Sequence, residues 1–127
     1  MKRKKGLLIA LALLAAIGLL VWCTGGRMGG IFLGEYTVSP DGDAMTIQVG
    51  VASSIGYVRT LRERDDGNKK YITFYSTYGL NSAIGANGEF QIALPPSCEE
   101  IYFYSGEDGY KLKLRKDTDT GEWERAK

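Results

Sequence analysis

The sequence predicts an all-β fold: a small antiparallel β-sandwich of immunoglobulin-like type with about seven or eight strands, preceded by one N-terminal transmembrane or signal helix. Three observations lead to this prediction. Short runs of alternating apolar and polar residues recur after residue 31, and turn residues separate them. No long amphipathic helical pattern follows residue 27. The first 27 residues differ in composition from the rest, being first basic and then apolar.

The strand pattern is clearest around two predicted hairpins. The turn chemistry of residues 65–68 (Asp-Asp-Gly-Asn) and of residues 106–109 (Gly-Glu-Asp-Gly) is typical of the loop that joins two antiparallel strands. The predicted strands are, in order, residues 35–38, 46–52, 55–64, 69–77, 90–94, 100–105, 110–116 and 122–125. Residues 78–88 are predicted as a loop, with one turn of helix near Ser82–Ile84.

Alternation assigns faces to these strands, because successive side chains of a strand point to opposite sides. Ile72 and Phe74 are expected on one face, with Tyr71, Thr73 and Tyr75 on the other. The same pattern places Ile101 and Phe103 opposite Tyr102 and Tyr104. In the strand at 110–116, alternation places Tyr110, Leu112 and Leu114 together and leaves the side with Lys111, Lys113 and Arg115 in water.

The N-terminal segment carries the signals of membrane targeting. Four basic residues at positions 2–5 precede a run of 21 uncharged residues, 6–26. A helix of that length covers roughly 30 Å, which is the thickness of a bilayer core. Because basic flanks stay on the cytoplasmic side, we expect the N-terminus in the cytoplasm and the domain outside. The sequence therefore predicts a single-pass protein of the cell membrane, held there by residues 6–22.

Two alternatives remain for this segment. A cleaved signal peptide would leave the domain secreted. A lipid anchor is the other alternative, because Leu20-Val21-Trp22-Cys23 resembles a lipobox, although Trp22 stands where a small residue is expected. Domain boundaries follow from the composition: residues 1–27 are the basic N-terminus and anchor or signal segment, 28–33 a glycine-rich tether, and 34–127 the extracytoplasmic β-domain.

Charge argues against a nucleic-acid partner. The chain has 16 basic and 15 acidic residues, but five of the basic ones precede residue 28, which leaves 11 basic against 15 acidic residues in the domain. A mildly acidic domain is a poor binder of phosphate backbones, which require clustered Lys and Arg.

The residue types present also limit which catalytic and metal sites the chain can form. The chain has no histidine, which excludes catalytic triads and dyads that depend on His and removes the commonest zinc ligand. Of the two cysteines, Cys98 is expected as a small buried residue. Residues 117–122 resemble the start of a calcium loop, but Gly121 stands where an oxygen ligand is needed. We therefore expect no cofactor, no metal site and no catalytic residues, and we do not predict an enzyme.

Tyrosines form the candidate interaction surface. Tyr71, Tyr75, Tyr102 and Tyr104 are expected to make an exposed aromatic strip if their strands are neighbours. Tyrosine combines an apolar ring with a polar tip, which suits binding of a protein or an envelope glycan. The sequence thus favours a membrane-tethered interaction module, with the strip or the 78–88 loop as its binding surface. The alternative is an accessory structural subunit of a membrane complex, and an acid-pair hydrolase ranks last.

Overall fold

The computed structural model describes residues 2–23, 26–51, 56–78 and 83–126. One helix, α1, spans Lys2–Cys23, and a short 3-10 helix spans Gly106–Asp108. The strands of the described residues are β1 (Arg27–Met28), β2 (Ile31–Val38), β3 (Ala44–Val51), β4 (Val58–Asp66), β5 (Lys69–Ser76), β6 (Glu89–Ala93), β7 (Glu100–Tyr104), β8 (Tyr110–Lys116) and β9 (Trp123–Arg125).

The strands form two sheets, which confirms the predicted all-β, sandwich-like fold. In the described part of the chain, a six-stranded sheet holds β1, β4, β5, β7, β8 and β9, and a three-stranded sheet holds β2, β3 and β6. The core contains buried apolar residues of both sheets. Ile72, Phe74, Ile101 and Phe103 are among them, as their alternation predicted.

Both predicted hairpins are present. The first joins β4 to β5 through two residues, Gly67 and Asn68, and Gly67 takes the positive φ of 61° that this tight turn needs. The second joins β7 to β8 around the 3-10 helix. Of the helical turn predicted near Ser82–Ile84, Ser82 lies outside the described residues. Residues 83–86 form a turn closed by a 3.0 Å hydrogen bond from the Ala86 N–H to the Ala83 carbonyl and not a helix.

The prediction of a purely antiparallel sandwich is wrong at the centre of the larger sheet. β5 pairs with β7 in parallel, with Tyr71 opposite Tyr102. The reason is the connection between them, which passes through β6 in the other sheet. Such a crossover returns the chain in the original direction, whereas a hairpin would have reversed it. β4 covers one edge of β5, and β1 and β7 share the other edge end to end.

The segment between the helix and β2 contributes to both sheets. Met28 lies in β1, which the sequence does not predict, and pairs with Phe74 of β5. β2 already begins at Ile31, within the range 28–33 that was predicted as a tether. Gly29 lies so close to the β7–β8 turn that a Cβ there would approach the Gly106 nitrogen to 3.1 Å. The small size of glycine thus permits this close backbone contact.

An irregularity in the β7–β8 pairing reverses part of the predicted face of β8. The register shifts between Ile101 and Tyr102, so that Leu114 pairs with Ile101 on the buried side while Leu112 pairs with Tyr102 on the outer side. Leu114 is therefore fully buried. Alternation alone had wrongly grouped Leu114 with Tyr110, because a β-bulge inserts one residue and changes the phase of a strand.

Side chains connect the two sheets along both open sides of the sandwich. On one side, the Ala93 N–H of β6 donates a 3.0 Å hydrogen bond to the Glu63 carboxylate of β4. On the other side, the Arg125 guanidinium of β9 donates to the carbonyl oxygens of Leu33, at 3.0 Å, and of Gly34 in β2. These bonds occupy backbone groups at the sheet edges that would otherwise be open to pairing with another chain.

Lys70 lies between the sheets with no exposed surface. Its position in β5 puts it on the inner face, in phase with Ile72 and Phe74. Its Nζ forms ion pairs with Glu63 Oε1 at 2.9 Å and with Asp65 Oδ1 at 2.7 Å. Burial lowers the pKa of Lys70, but the hydrogen bonds and charges of the two carboxylates outweigh burial and raise it above its ordinary value of 10.5.

The N-terminal helix is exposed along its described side chains. Every residue from Arg3 to Leu19 is exposed, including large apolar residues. Within the described part of the chain, no helix combines the length and the apolar character needed to cross a membrane. The side chains of residues 20–23, and with them the Trp22–Cys23 junction, lie outside the described part. Cys98 is a buried free thiol, as expected.

Replacing Lys70 with methionine should lower the free energy of unfolding by about 2–4 kcal/mol, because it leaves two carboxylates without their cation. Chemical denaturation of the purified chain would measure the change. Lys111→Met is the matched control: the Lys111 side chain is 57% exposed and pairs with Asp108 at 3.6 Å, so we expect a loss below about 0.5 kcal/mol.

The pH dependence gives an independent check on the same variant. The folded pKa of Lys70 is raised, so its stabilising contribution is complete below pH 10.5 and is lost as the pH rises through the folded value. The difference in stability between the wild type and Lys70→Met should therefore stay constant from neutral pH to 10.5 and shrink above it. Equal stability of Lys70→Met and Lys111→Met would contradict a structural role for the ion pairs.

Candidate binding surface

The outer face of the six-stranded sheet gathers tyrosines from three strands. Tyr71 and Tyr75 come from β5, Tyr102 and Tyr104 from β7, and Tyr110 from β8. We call these five residues the tyrosine face. All five are half-buried, so the face is a packed surface with its rings partly covered. Of the four tyrosines singled out in the sequence, the pairing of β5 with β7 makes Tyr71 and Tyr102 direct neighbours, whereas Tyr75 pairs with Arg27 of β1.

The rings contact one another in a connected series. Tyr71 and Tyr102 are stacked with centroids 5.1 Å apart and planes at 23°. Tyr110 meets Tyr71 edge to face at 5.1 Å and Tyr104 edge to face at 5.7 Å. Tyr75 stands apart from this series, since its ring packs against no other aromatic ring within the described residues. Aromatic pairs of these geometries stabilise a surface by about 0.5–1.5 kcal/mol each beyond their burial.

Tyr110 is the tyrosine that sequence reasoning missed. Its alternation pattern grouped it with Leu114, and only the register shift in the β7–β8 pairing brings it to the outer face. Its hydroxyl lies 2.9 Å from the Thr73 hydroxyl, which fixes the ring between β5 and β7. No local sequence signal indicates such a shift, so the residue could not have been assigned from the pattern alone.

Cationic side chains lie over the tyrosine rings. The Arg64 guanidinium lies 4.4 Å from the Tyr71 centroid, and that of Arg62 lies 5.4 Å from the Tyr75 centroid. These distances are within the range of cation–π interactions. The register of the β4–β5 hairpin explains the placement, because Arg64 is the direct cross-strand partner of Tyr71. The predicted four-residue turn at 65–68 would have placed Arg64 opposite Lys69, and the shorter observed turn at Gly67 and Asn68 makes Tyr71 its partner instead.

Two further cations lie over the rings of two other tyrosines of the face. Arg27 of β1 lies 5.2 Å from the Tyr104 centroid, and Lys69 lies 5.9 Å from that of Tyr102. Sequence analysis assigned Arg27 to the anchor segment and not to the domain. The strand pairing of β1 with β5 brings it into the sheet instead.

The cations of the face are not neutralised by neighbouring acids. Within the described residues, no ion pair engages Arg27, Arg62, Arg64 or Lys69; the ion pairs of the sheet surface are Lys111–Asp108 at 3.6 Å and Arg115–Glu100 at 4.0 Å. One acidic side chain, Glu100, lies on the same face, where it accepts the Tyr102 hydroxyl and pairs with Arg115. The four cations over the rings still offer positive charge to a ligand, although the domain as a whole is acidic.

The phenol of Tyr102 is held in its neutral form. Burial raises its pKa above the ordinary value, the Glu100 carboxylate raises it further, and Lys69 opposes the shift. The Tyr102 hydroxyl donates a 3.3 Å hydrogen bond to Glu100 Oε2. This geometry suits a structural hydrogen-bond donor.

A cleft adjoins the tyrosine face at Tyr104. It has a volume of about 210 Å³ and lies where β2 meets the ends of β7 and β8. Its lining includes Phe32, Lys111 and Lys113. The Phe32 ring packs over Gly50 of β3, and Lys111 pairs with Asp108 at 3.6 Å.

The second surface proposed from the sequence, the 78–88 loop, is described only at Tyr78 and over residues 83–88. Arg59 lies 4.4 Å from the Tyr78 ring centroid. Ala86, Asn87 and Gly88 line an opening of about 370 Å³ together with the end of β3. Residues 79–82 of this loop lie outside the described residues.

The acidic turns are organised by hydrogen bonds to their own backbone. Asp117 Oδ1 accepts hydrogen bonds from the N–H groups of Asp119, at 2.8 Å, and Thr120, at 3.4 Å. This is the usual use of aspartate in a turn. Over the described residues, no group of three or more His, Cys, Asp or Glu side chains is placed to hold a metal ion.

No protein-family model, no curated protein and no solved structure matches this chain. The functional interpretation of the tyrosine face therefore depends on its geometry and charge.

Proposed function

We propose that the chain is a membrane-tethered interaction module that binds a protein or an envelope glycan through the tyrosine face. One observation carries the proposal: five tyrosines lie on one sheet face together with four cations that have no ion pair among the described residues. Tyrosine and arginine are the residues most enriched at binding surfaces, because both combine a broad contact area with hydrogen-bonding groups.

Membrane attachment through residues 6–22 is the second part of the proposal. It is supported by the uncharged run of 21 residues at 6–26 and by the exposure of the apolar side chains of α1. Leu8 and Leu14, for example, are both 65% exposed. Apolar surface of this extent is unfavourable in water, and lipid would remove that cost. The basic residues before the run favour a cytoplasmic N-terminus and an external domain.

An accessory structural role is the alternative function. The exposed apolar surface of α1 favours it, because that surface would equally suit packing against other helices within a membrane complex. In that case the identity of the helix, and not the tyrosine face, would determine what the chain associates with.

A photocrosslinker should distinguish the tyrosine face from other surfaces. With p-benzoylphenylalanine in place of Tyr75, irradiation of intact membranes should give one defined adduct, because the binding partner covers this face. The matched control is the same substitution at Gln48, which is exposed on β3 of the other sheet. Gel mobility and mass spectrometry would identify the adducts.

Exchanging residues 6–22 for an unrelated membrane anchor distinguishes an interaction module from an accessory structural subunit. The Tyr75 adduct should survive the exchange if the face recognises the partner. Loss of the adduct on exchange would favour the accessory-subunit function. Equal adduct formation from the Tyr75 and Gln48 positions would contradict a binding role for the tyrosine face.

Membrane attachment has its own expected outcome. The full chain should sediment with membranes and resist alkaline carbonate, because its apolar helix would be in contact with lipid. Replacing Leu7, Leu11 and Leu14 with asparagine should release it, whereas Phe32→Asn, which removes an exposed apolar side chain from β2, should not.

The intact mass of the sedimented chain identifies the kind of attachment. Retention of Met1 or Lys2 indicates an uncleaved helix, and a chain that begins at a lipid-modified Cys23 indicates a lipid anchor. A wild-type chain found wholly in the soluble fraction would contradict membrane attachment.

A further inference from the structure

We infer that the tyrosine face recognises an acidic glycan. Its arginines bind the carboxylate or phosphate groups of the glycan, and its phenol hydroxyls form hydrogen bonds with the sugar hydroxyls. This inference rests on the proposed function and names the ligand class of the same surface. In this inference the tyrosines do not stack on the ligand. Their rings support the cations, and their hydroxyls face the ligand.

The ring faces of the tyrosines are already occupied. Tyr71 has the Arg64 guanidinium 4.4 Å from its centroid and is stacked with Tyr102 at 5.1 Å. Tyr110 packs edge-on against both Tyr71 and Tyr104. A ligand that binds by stacking, such as a single-stranded nucleic acid with its bases, would need bare ring faces. The series Tyr71–Tyr102–Tyr110–Tyr104 offers few of them.

Cations held over rings are preorganised for anions. A guanidinium that rests on an aromatic ring uses its flat face for that contact and leaves the N–H groups at its edge free to bind oxygen. Arg62 and Arg64 do this side by side. Their positions on one strand face put their backbones about 7 Å apart, which suits successive anionic groups of a polymer. An arginine already held on a ring loses less side-chain freedom on binding than a freely rotating arginine, so it binds the anion more strongly.

The hydroxyl groups favour a glycan over an acidic peptide. In the described part of the chain, the Tyr102 and Tyr110 hydroxyls have hydrogen-bond partners, whereas those of Tyr71, Tyr75 and Tyr104 have none. Unpaired hydroxyls beside unpaired cations match a ligand that carries both hydroxyl and anionic groups. Peptides instead dock by adding a strand at a sheet edge or by placing apolar side chains in pockets.

Biolayer interferometry on the full chain in detergent tests the inference with three immobilised probes. They are polygalacturonate (an acidic glycan), dextran (a neutral glycan) and poly-glutamate (an acidic peptide). We expect binding to polygalacturonate that weakens as salt is added, and no binding to dextran. Poly-glutamate should bind at least about tenfold more weakly, because it lacks the hydroxyl groups.

Arg62→Gln together with Arg64→Gln should weaken polygalacturonate binding by about tenfold or more. Both side chains are exposed, so the fold should persist, and an unchanged unfolding midpoint verifies this. The matched control, Lys4→Gln together with Lys5→Gln, removes the same charge outside the sheets and should leave binding unchanged.

Three results would overturn the inference: no binding to polygalacturonate, equal loss in the arginine and lysine double variants, or poly-glutamate binding of equal strength. None of these results would affect the crosslinked adduct at Tyr75. The adduct depends only on the face being covered, so failure of the glycan inference can be told apart from failure of the proposed function.

Discussion

Lys70 lies with its ammonium group enclosed between the two sheets, and the Glu63 and Asp65 carboxylates of the adjacent strand neutralise it. An unpaired charge in a protein interior costs several kcal/mol, so the fold must keep these groups together. The Glu63 oxygen that binds Lys70 also accepts the Ala93 N–H of the other sheet. One carboxylate thereby bonds both to the neighbouring strand β5 and to the edge strand β6 of the other sheet.

The same pairing creates the binding surface. Because Asp65 stands opposite Lys70 on the inner face, the preceding residue, Arg64, must project from the outer face opposite Tyr71. A slip of one residue would bring the arginines inside and the carboxylates outside, since a strand alternates its faces. The buried ion pairs and the outer cations over tyrosine rings are thus two consequences of one strand register.

Local patterns predicted the parts of this arrangement that depend on neighbouring residues. Turn chemistry located both hairpins, and alternation placed Ile72 and Tyr71 on opposite faces. The parallel pairing of β5 with β7 depends on a crossover through the other sheet, and the position of Tyr110 depends on a register shift. Neither feature leaves a local signal. The contact of Arg27 with Tyr104 joins residues distant in sequence, so composition alone assigned Arg27 to the anchor.

Residue-level footprinting of the full chain tests most directly the claim that the tyrosine face is the binding surface. Arginines would be modified with phenylglyoxal, both in native membranes and after purification, and quantified by mass spectrometry. The account predicts that Arg62 and Arg64 are protected in native membranes and become reactive once the partner is removed, while Arg125, which bonds to the β2 backbone, reacts equally in both states. Equal reactivity of Arg62 and Arg64 in the two states would contradict the account.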